Sequence, residues 1–163
     1  MRSAYLPMDG FHLADRALAR LGLLDRKGAP ETFDAWGYAA LLRRVRTARE
    51  TVWAPGFERD LEQPLAGAIA IAPDVELVVT EGNYLLLDRP EWRAVRAELD
   101  EVWFLDVPDE VRRSRLLARH TAYRKTAAEA QAWVARVDDA NAALVAATRA
   151  GADRVIDPGD AAS

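Results

Sequence analysis

Val75-Glu76-Leu77-Val78-Val79-Thr80-Glu81-Gly82-Asn83 is the stretch on which the fold turns. Its apolar run, rich in β-branched residues, reads as a parallel strand covered on both faces rather than an alternating half-buried one. It ends abruptly on an acid followed by glycine. Working outward, Ala4-Tyr5-Leu6-Pro7-Met8 reads as a second short strand that also ends on acid and glycine, at Asp9-Gly10. Val102 to Val107 predicts another buried strand, and Asp153 to Ile156 a last one before a Pro/Gly/Ala/Ser tail. Between them lie helical segments. Asp15 to Gly22 is closed by its glycine, and a helix capped by Asp34 takes Trp36, Leu41, Leu42 and Val45 as its apolar face, with Arg43, Arg44 and Arg46 towards water. A third runs from Asp109 to about His120, and a longer one is opened by the capping box Thr126-Ala127-Ala128-Glu129 and reaches about Ala150. Residues 25–33 and Ala54 to Pro64 read as loops. Strands alternating with helices predict an α/β domain with a mainly parallel sheet, one domain over residues 1–157 with a flexible tail at 158–163.

Composition bounds the partners. The chain has 163 residues, 50% hydrophobic and 29% charged, with a net charge of −4. That balance gives no electrostatic reason to expect nucleic acid or an anionic membrane, so an anionic ligand needs a local basic cluster. No apolar run approaches the roughly 20 residues of a membrane helix. The absence of cysteine removes disulfides and thiolate metal sites and fits a cytoplasmic setting. The cations are 20 arginines and only Lys27 and Lys125.

In open α/β sheets ligands sit beyond the carboxyl ends of the strands, where Asp9 and Glu81 stand. Either carboxylate can take a proton from a substrate hydroxyl, coordinate Mg2+ through a water, or simply cap the turn that follows. Glycine after each acid is expected to let the backbone turn sharply. His12, three residues past Asp9, can hydrogen-bond an acid or a substrate, or serve packing alone. Arg112, Arg115 and Arg119 at i, i+3 and i+7 put an arginine row on one helix face, continued by His120, Arg124 and Lys125. Guanidinium forks suit phosphate oxygens, while the bland alternative pairs them with acids such as Asp109 and Glu110.

Three segments then occur in order: Pro7-Met8-Asp9-Gly10-Phe11-His12-Leu13, Arg26-Lys27-Gly28-Ala29-Pro30-Glu31-Thr32-Phe33-Asp34 and Glu81-Gly82-Asn83-Tyr84-Leu85-Leu86-Leu87. With Pro55-Gly56-Phe57-Glu58-Arg59 and the stretch from Arg119-His120 through Ala132-Trp133 to Asp138 and Asn141, they resemble the phosphoribulokinase/uridine kinase family, in the branch similar to bacterial pantothenate kinase. The likeness covers about residues 5–157. It implies a three-layer αβα P-loop NTPase-like domain and transfer of the γ-phosphoryl group of ATP, with Mg2+, to a hydroxyl of a nucleoside, sugar or pantothenate-like alcohol. By the resemblance, Asp9 is the catalytic carboxylate and Glu81 the second acid beside the nucleotide phosphates, both near Mg2+. Lys27, Arg59, Tyr84 and His12 fall at acceptor-pocket positions, Arg115 and Arg119 in the lid over ATP, and Asn141 at a substrate or nucleotide contact.

The family's first strand, its Gly-x-x-x-x-Gly-Lys-Ser/Thr loop and its first helix have no counterpart here, since no Gly-Lys dipeptide occurs in the sequence. A unit of roughly 30 residues is expected ahead of the match. Two readings follow: a small-metabolite kinase whose loop lies outside these residues, through a start-site error or shortening, or a non-catalytic binding or assembly module that pairs as a homodimer through an open sheet edge.

Overall fold

A computed structural model of the chain describes residues 1–122 and 126–157. The expected tail at 158–163, and Arg124 and Lys125 of the basic cluster, lie outside the described residues. The chain divides into two compact units, Met1–Asp100 and Glu101–Ser163, and each is described by itself.

In the first unit, β1 (Ser3–Pro7) pairs in parallel with β4 (Leu77–Glu81), Tyr5 opposite Val79 and Pro7 opposite Glu81. The chain leaves β1 through a 3-10 turn, Met8–Phe11, one residue earlier than the sequence suggests. Helix α1 (Asp15–Leu21) ends on Gly22 at φ 68°, a left-handed position that glycine occupies without steric cost. Asp34 caps α2 (Ala35–Thr47) as expected, its Oδ1 accepting from the Gly37 N–H at 2.8 Å. The buried face of α2 is Ala35, Tyr38, Ala39 and Leu42, whereas Trp36 is 60% exposed. The 3.6-residue period explains this, because Tyr38 rather than Trp36 shares a face with Ala35, Ala39 and Leu42. Arg43 and Arg46 project outward to Glu98 and Asp100 beyond the end of α3 (Pro90–Arg96).

The expected loop from Ala54 to Pro64 is an antiparallel hairpin of β2 (Val52–Glu58) and β3 (Gln63–Ile71). Pro55 and Gly56 read as turn formers, but the register shifts between Ala54 and Gly56, so the proline sits at a bulge where it need not donate to the ladder. The expectation that residues 75–81 are covered on both faces also fails. Leu77 and Val79 are exposed, with Tyr5 beside them, because no described element covers that face of the two-stranded sheet.

The core lies on the opposite face of this sheet. Leu6, Met8, Leu18, Tyr38, Tyr84, Trp92 and Val95 are essentially inaccessible. Phe33, Tyr84 and Trp92 meet edge-on or tilted at ring-centroid separations of 5.4–6.0 Å. Each fully buried large apolar side chain contributes roughly 1.5–3 kcal/mol, and together these rings fix the segment that carries Lys27 and Phe33 against the strand ends.

In the second unit, β5 (Trp103–Leu105) pairs in parallel with β6 (Arg154–Ile156). Here too the expectation of a buried strand is corrected, since Trp103 and Leu105 are exposed on a two-stranded sheet. Helix α4 (Asp109–Ala122) precedes α5 (Ala127–Trp133), which opens with the expected capping box. The long helix is not uniform: Val134–Asp138 forms a π turn before α6 (Asp139–Ala146). Each unit is α/β and holds one parallel strand pair, as the α/β reading of the sequence predicts, and the first adds the antiparallel hairpin.

Candidate functional site

The parallel register of β1 and β4 brings two acid–glycine pairs to one end of one sheet. Glu81 closes β4, and Asp9 follows β1 in the 3-10 turn. Neither Gly10 nor Gly82 has a positive φ, so the expected sharp turn is not what selects them. Close approach is. A Cβ on Gly10 would lie 2.3 Å from the Pro55 carbonyl oxygen, and one on Gly82 would lie 2.6 Å from Met8 Cβ and Sδ. The glycines let the hairpin and the Met8 side chain press against the strand ends, which fixes where the two acids emerge.

The two carboxylates are held differently. Asp9 accepts no hydrogen bond from a described side chain. Its Oδ2 is 3.5 Å from an Arg59 guanidinium nitrogen, its Oδ1 is 3.9 Å from His12 Nε2, and its side chain is 34% exposed. Glu81 accepts from the Tyr5 hydroxyl at 2.8 Å, and its Oε2 meets no described donor. Burial, then the Glu81 hydrogen bond and charge, push the Tyr5 phenol up to about 12, with Asp9 adding to the shift and Arg59 opposing it. The hydroxyl is therefore protonated at neutral pH and sits within electrostatic reach of Asp9.

His12 is stacked on Phe33 at 4.0 Å and tilted against Phe57. Burial lowers its pKa to about 4, against the pull of Asp9 and with the help of Lys27, so the ring is neutral at physiological pH. Its buried Nδ1 has no hydrogen-bond partner among the described residues, and it is the other ring nitrogen, Nε2, that faces Asp9. Lys27, expected in the acceptor pocket, donates to Asp15 Oδ1 at 2.6 Å and to the Glu62 carbonyl, with its ammonium over the Phe57 ring. Burial alone would raise the pKa of Asp15, but hydrogen bonds from Lys27 and Gln63 reverse this and hold it below its ordinary value. Tyr84 is 1% exposed and donates to the Gly28 carbonyl at 2.5 Å. Both residues act here on the turn and hairpin around the site.

Arg115, Arg119 and Asn141 belong to the second unit. Arg112 is drawn out of the expected row by Asp109 and Asp139, at 3.1 and 2.8 Å, as the bland reading of the row anticipates for Asp109. Arg113 joins Asp139. Arg115 and Arg119 are exposed and make no ion pair with a described residue, which leaves their forks available to an anion. His120 pairs with Asp138 at 2.8 Å, and Asn141 is half-buried on α6.

Sequence reasoning missed Tyr5. No local signal gives it: by strand period Tyr5 shares a face with Ser3 and Pro7, and its partner Glu81 is 76 residues away. It also missed Asp15, which only the fold brings to Lys27. Among the described residues no three His, Asp or Glu side chains cluster as a metal cage, and no helix is long and apolar enough to cross a membrane.

No protein-family model matches the chain. Individual proteins do. The chain is 38% identical over 121 residues to an ATP-dependent kinase-like protein of Aspergillus versicolor, covering 69% of this chain and 70% of the relative. It belongs to the P-loop kinase family. Among solved structures it is similar to a candidate fructose transport system kinase from Silicibacter, with 39% identity, a TM-score of 0.86, and coverage of 94% of this chain and 74% of the other. A Saccharomyces cerevisiae protein described as a candidate P-loop-containing kinase with a circular permutation has the same fold, at a TM-score of 0.79 and 24% identity, covering 95% of this chain and 57% of that one. The chain spans 70% of the first curated relative and 56% of each of the next two. Kinase ancestry, ATP use and a small-molecule acceptor are thus properties of the family in which this site sits.

Proposed function

We propose that the whole protein is a cytoplasmic phosphotransferase that moves the γ-phosphoryl group of ATP to a hydroxyl of a small metabolite, a sugar, a nucleoside or a pantothenate-like alcohol. The observation that carries this is the pair of strand-end acids in unlike settings. Asp9 has a carboxylate that meets no hydrogen-bond donor among the described residues, beside a guanidinium and a neutral imidazole. An acceptor hydroxyl placed at Asp9 is oriented and gives up its proton to that carboxylate as its oxygen attacks the γ-phosphorus and the bond to the bridging oxygen breaks, releasing ADP. The neutral His12 and the Arg59 fork supply polar contacts for the acceptor. Asp9 and the open Oε2 of Glu81 fit Mg2+, which is commonly held by one or two carboxylates together with substrate phosphates. When bound, that ion neutralises charge on the phosphates. Arg115 and Arg119, exposed and without acidic partners among the described residues, suit phosphate oxygens.

The reaction also needs a phosphate-gripping loop, and residues 1–163 contain no Gly-x-x-x-x-Gly-Lys. The resemblance assigns the strand that carries such a loop to the neighbourhood of Leu77–Glu81, where β4 has an unpaired edge among the described residues. The second reading, a non-catalytic assembly module, rests on the same edge and on exposed Tyr5, Leu77 and Val79.

Incubating the protein, with its phosphate loop, with magnesium, γ-labelled ATP and panels of sugars, nucleosides and pantothenate-like alcohols separates the readings. Label transfer to one acceptor class is the expected result. No transfer to any acceptor, together with stable self-association in sedimentation, would overturn it in favour of the assembly module.

A further inference from the structure

The hydrogen bond between Tyr5 and Glu81 joins two exposed residues 76 positions apart on adjacent strands. Exposed polar pairs often contribute little, because both partners can return to water. This one differs in placement. Tyr5 stands opposite Val79 in the parallel ladder, so Glu81, two residues on, shares its face and lies one diagonal step away. The ring rests on a sheet and moves about two torsions, so its hydroxyl is a more rigid donor than a lysine or arginine head would be. It engages Oε1 alone. Oε2 remains without a described donor, and the carboxylate plane is thereby set with one oxygen committed and one presented. Asp9, at the neighbouring strand end, has no corresponding clamp among the described residues.

From this juxtaposition we infer that Tyr5 is a positioning residue, which orients the Glu81 carboxylate so that Oε2 faces the reacting phosphates or their counter-ion. The inference rests on the kinase reading and deepens it by dividing the labour of the two acids. Asp9 is left free to accept a proton, and Glu81 is held so that it does not swing to compete for the same hydroxyl. A phenol suits this task because it donates a single hydrogen bond and, staying protonated, adds no charge beside ATP. Tyr5 itself touches no reacting atom in this account.

The test is Tyr5→Phe, which keeps the ring and removes only the donor. A crystal structure of the variant is expected to show the Glu81 carboxylate in more than one rotamer, with the sheet unchanged. Steady-state kinetics are expected to show kcat lowered about tenfold, as for loss of a hydrogen bond to a charged group, with the KM for ATP and the thermal midpoint held. In a Glu81→Ala background, which removes the acceptor, the same substitution is expected to cost nothing further, because Tyr5 has no other route to the chemistry. A Glu81 carboxylate that keeps its single orientation in Tyr5→Phe overturns the inference. So does an equal fold-loss in both backgrounds, or an unchanged kcat in an active protein. If the unaltered protein transfers no phosphate at all, the kinase reading fails by itself, and the crystallographic result still decides whether Tyr5 orients Glu81.

Discussion

Two neighbouring strand ends carry the same dipeptide pattern, acid then glycine, and the structure makes them unlike. At Asp9-Gly10 the acid is near an arginine and a histidine but hydrogen-bonded to neither, and the glycine lies under a backbone carbonyl. At Glu81-Gly82 the acid is clamped by a phenol, and the glycine lies against a side chain, Met8. A proton acceptor must remain accessible to the proton it takes, whereas a carboxylate that orients charge gains from being fixed. One local pattern thus serves two roles, and the surroundings assign them.

The largest expected effect tests that assignment directly. Asp9→Asn is expected to lower kcat by about 10³-fold, within the range for loss of a general base, while ATP affinity measured by calorimetry stays near that of the unaltered protein. Glu81→Gln is expected to cost roughly tenfold in kcat and to raise the magnesium concentration needed for half-maximal rate, as loss of one charge-assisted contact would. Equal losses with the same magnesium dependence would erase the distinction.

Next come the glycines. Gly10→Ala drives a methyl into the Pro55 carbonyl, and a backbone has little room to yield, so a loss of about 3 kcal/mol in urea unfolding is expected. Gly82→Ala meets Met8, whose thioether can shift although its Cβ cannot, and about 1–2 kcal/mol is expected. A reversed order would show that the hairpin rather than the methionine is the compliant partner.

The last comparison is a slope rather than a fixed loss. His12 has a folded pKa of about 4, below its ordinary 6.5, so between these values the unfolded chain binds a proton that the folded chain refuses. Stability is present in full above about pH 6.5 and is lost as pH falls through 4. His12→Gln is expected to flatten urea midpoints over that window, leaving only carboxylate titration at lower pH. An unchanged slope would mean that the imidazole is not the group responsible.

How much of this was legible beforehand follows from the range of the forces involved. The α1 stop at Gly22, the Asp34 cap and the capping box at Thr126 depend on contacts within four residues, and each was read correctly. Ala54 to Pro64, inside the hairpin at 52–71, reads as a loop because Pro55 and Gly56 are turn formers locally, while their accommodation in a bulge depends on β3. Trp36 reads as part of the apolar face of α2, although the helix period places Tyr38 there instead. Arg112 left the arginine row because Asp139, 27 residues away, lies across from it. Arg115 and Arg119 remained without such partners among the described residues.

By itself the sequence determined the alternation of strands and helices, the two acids at strand ends, and the ordered motifs by which the chain resembles its family. These depend on periodicity and on residue type, which act locally and survive without coordinates. Only the tertiary structure decided that Tyr5 holds Glu81, that Lys27 is spent on Asp15, that His12 is neutral, and that the glycines serve close packing rather than turning. Each of those depends on the distance between groups far apart in the chain, and hydrogen bonding, desolvation and steric overlap all vary steeply with such distances.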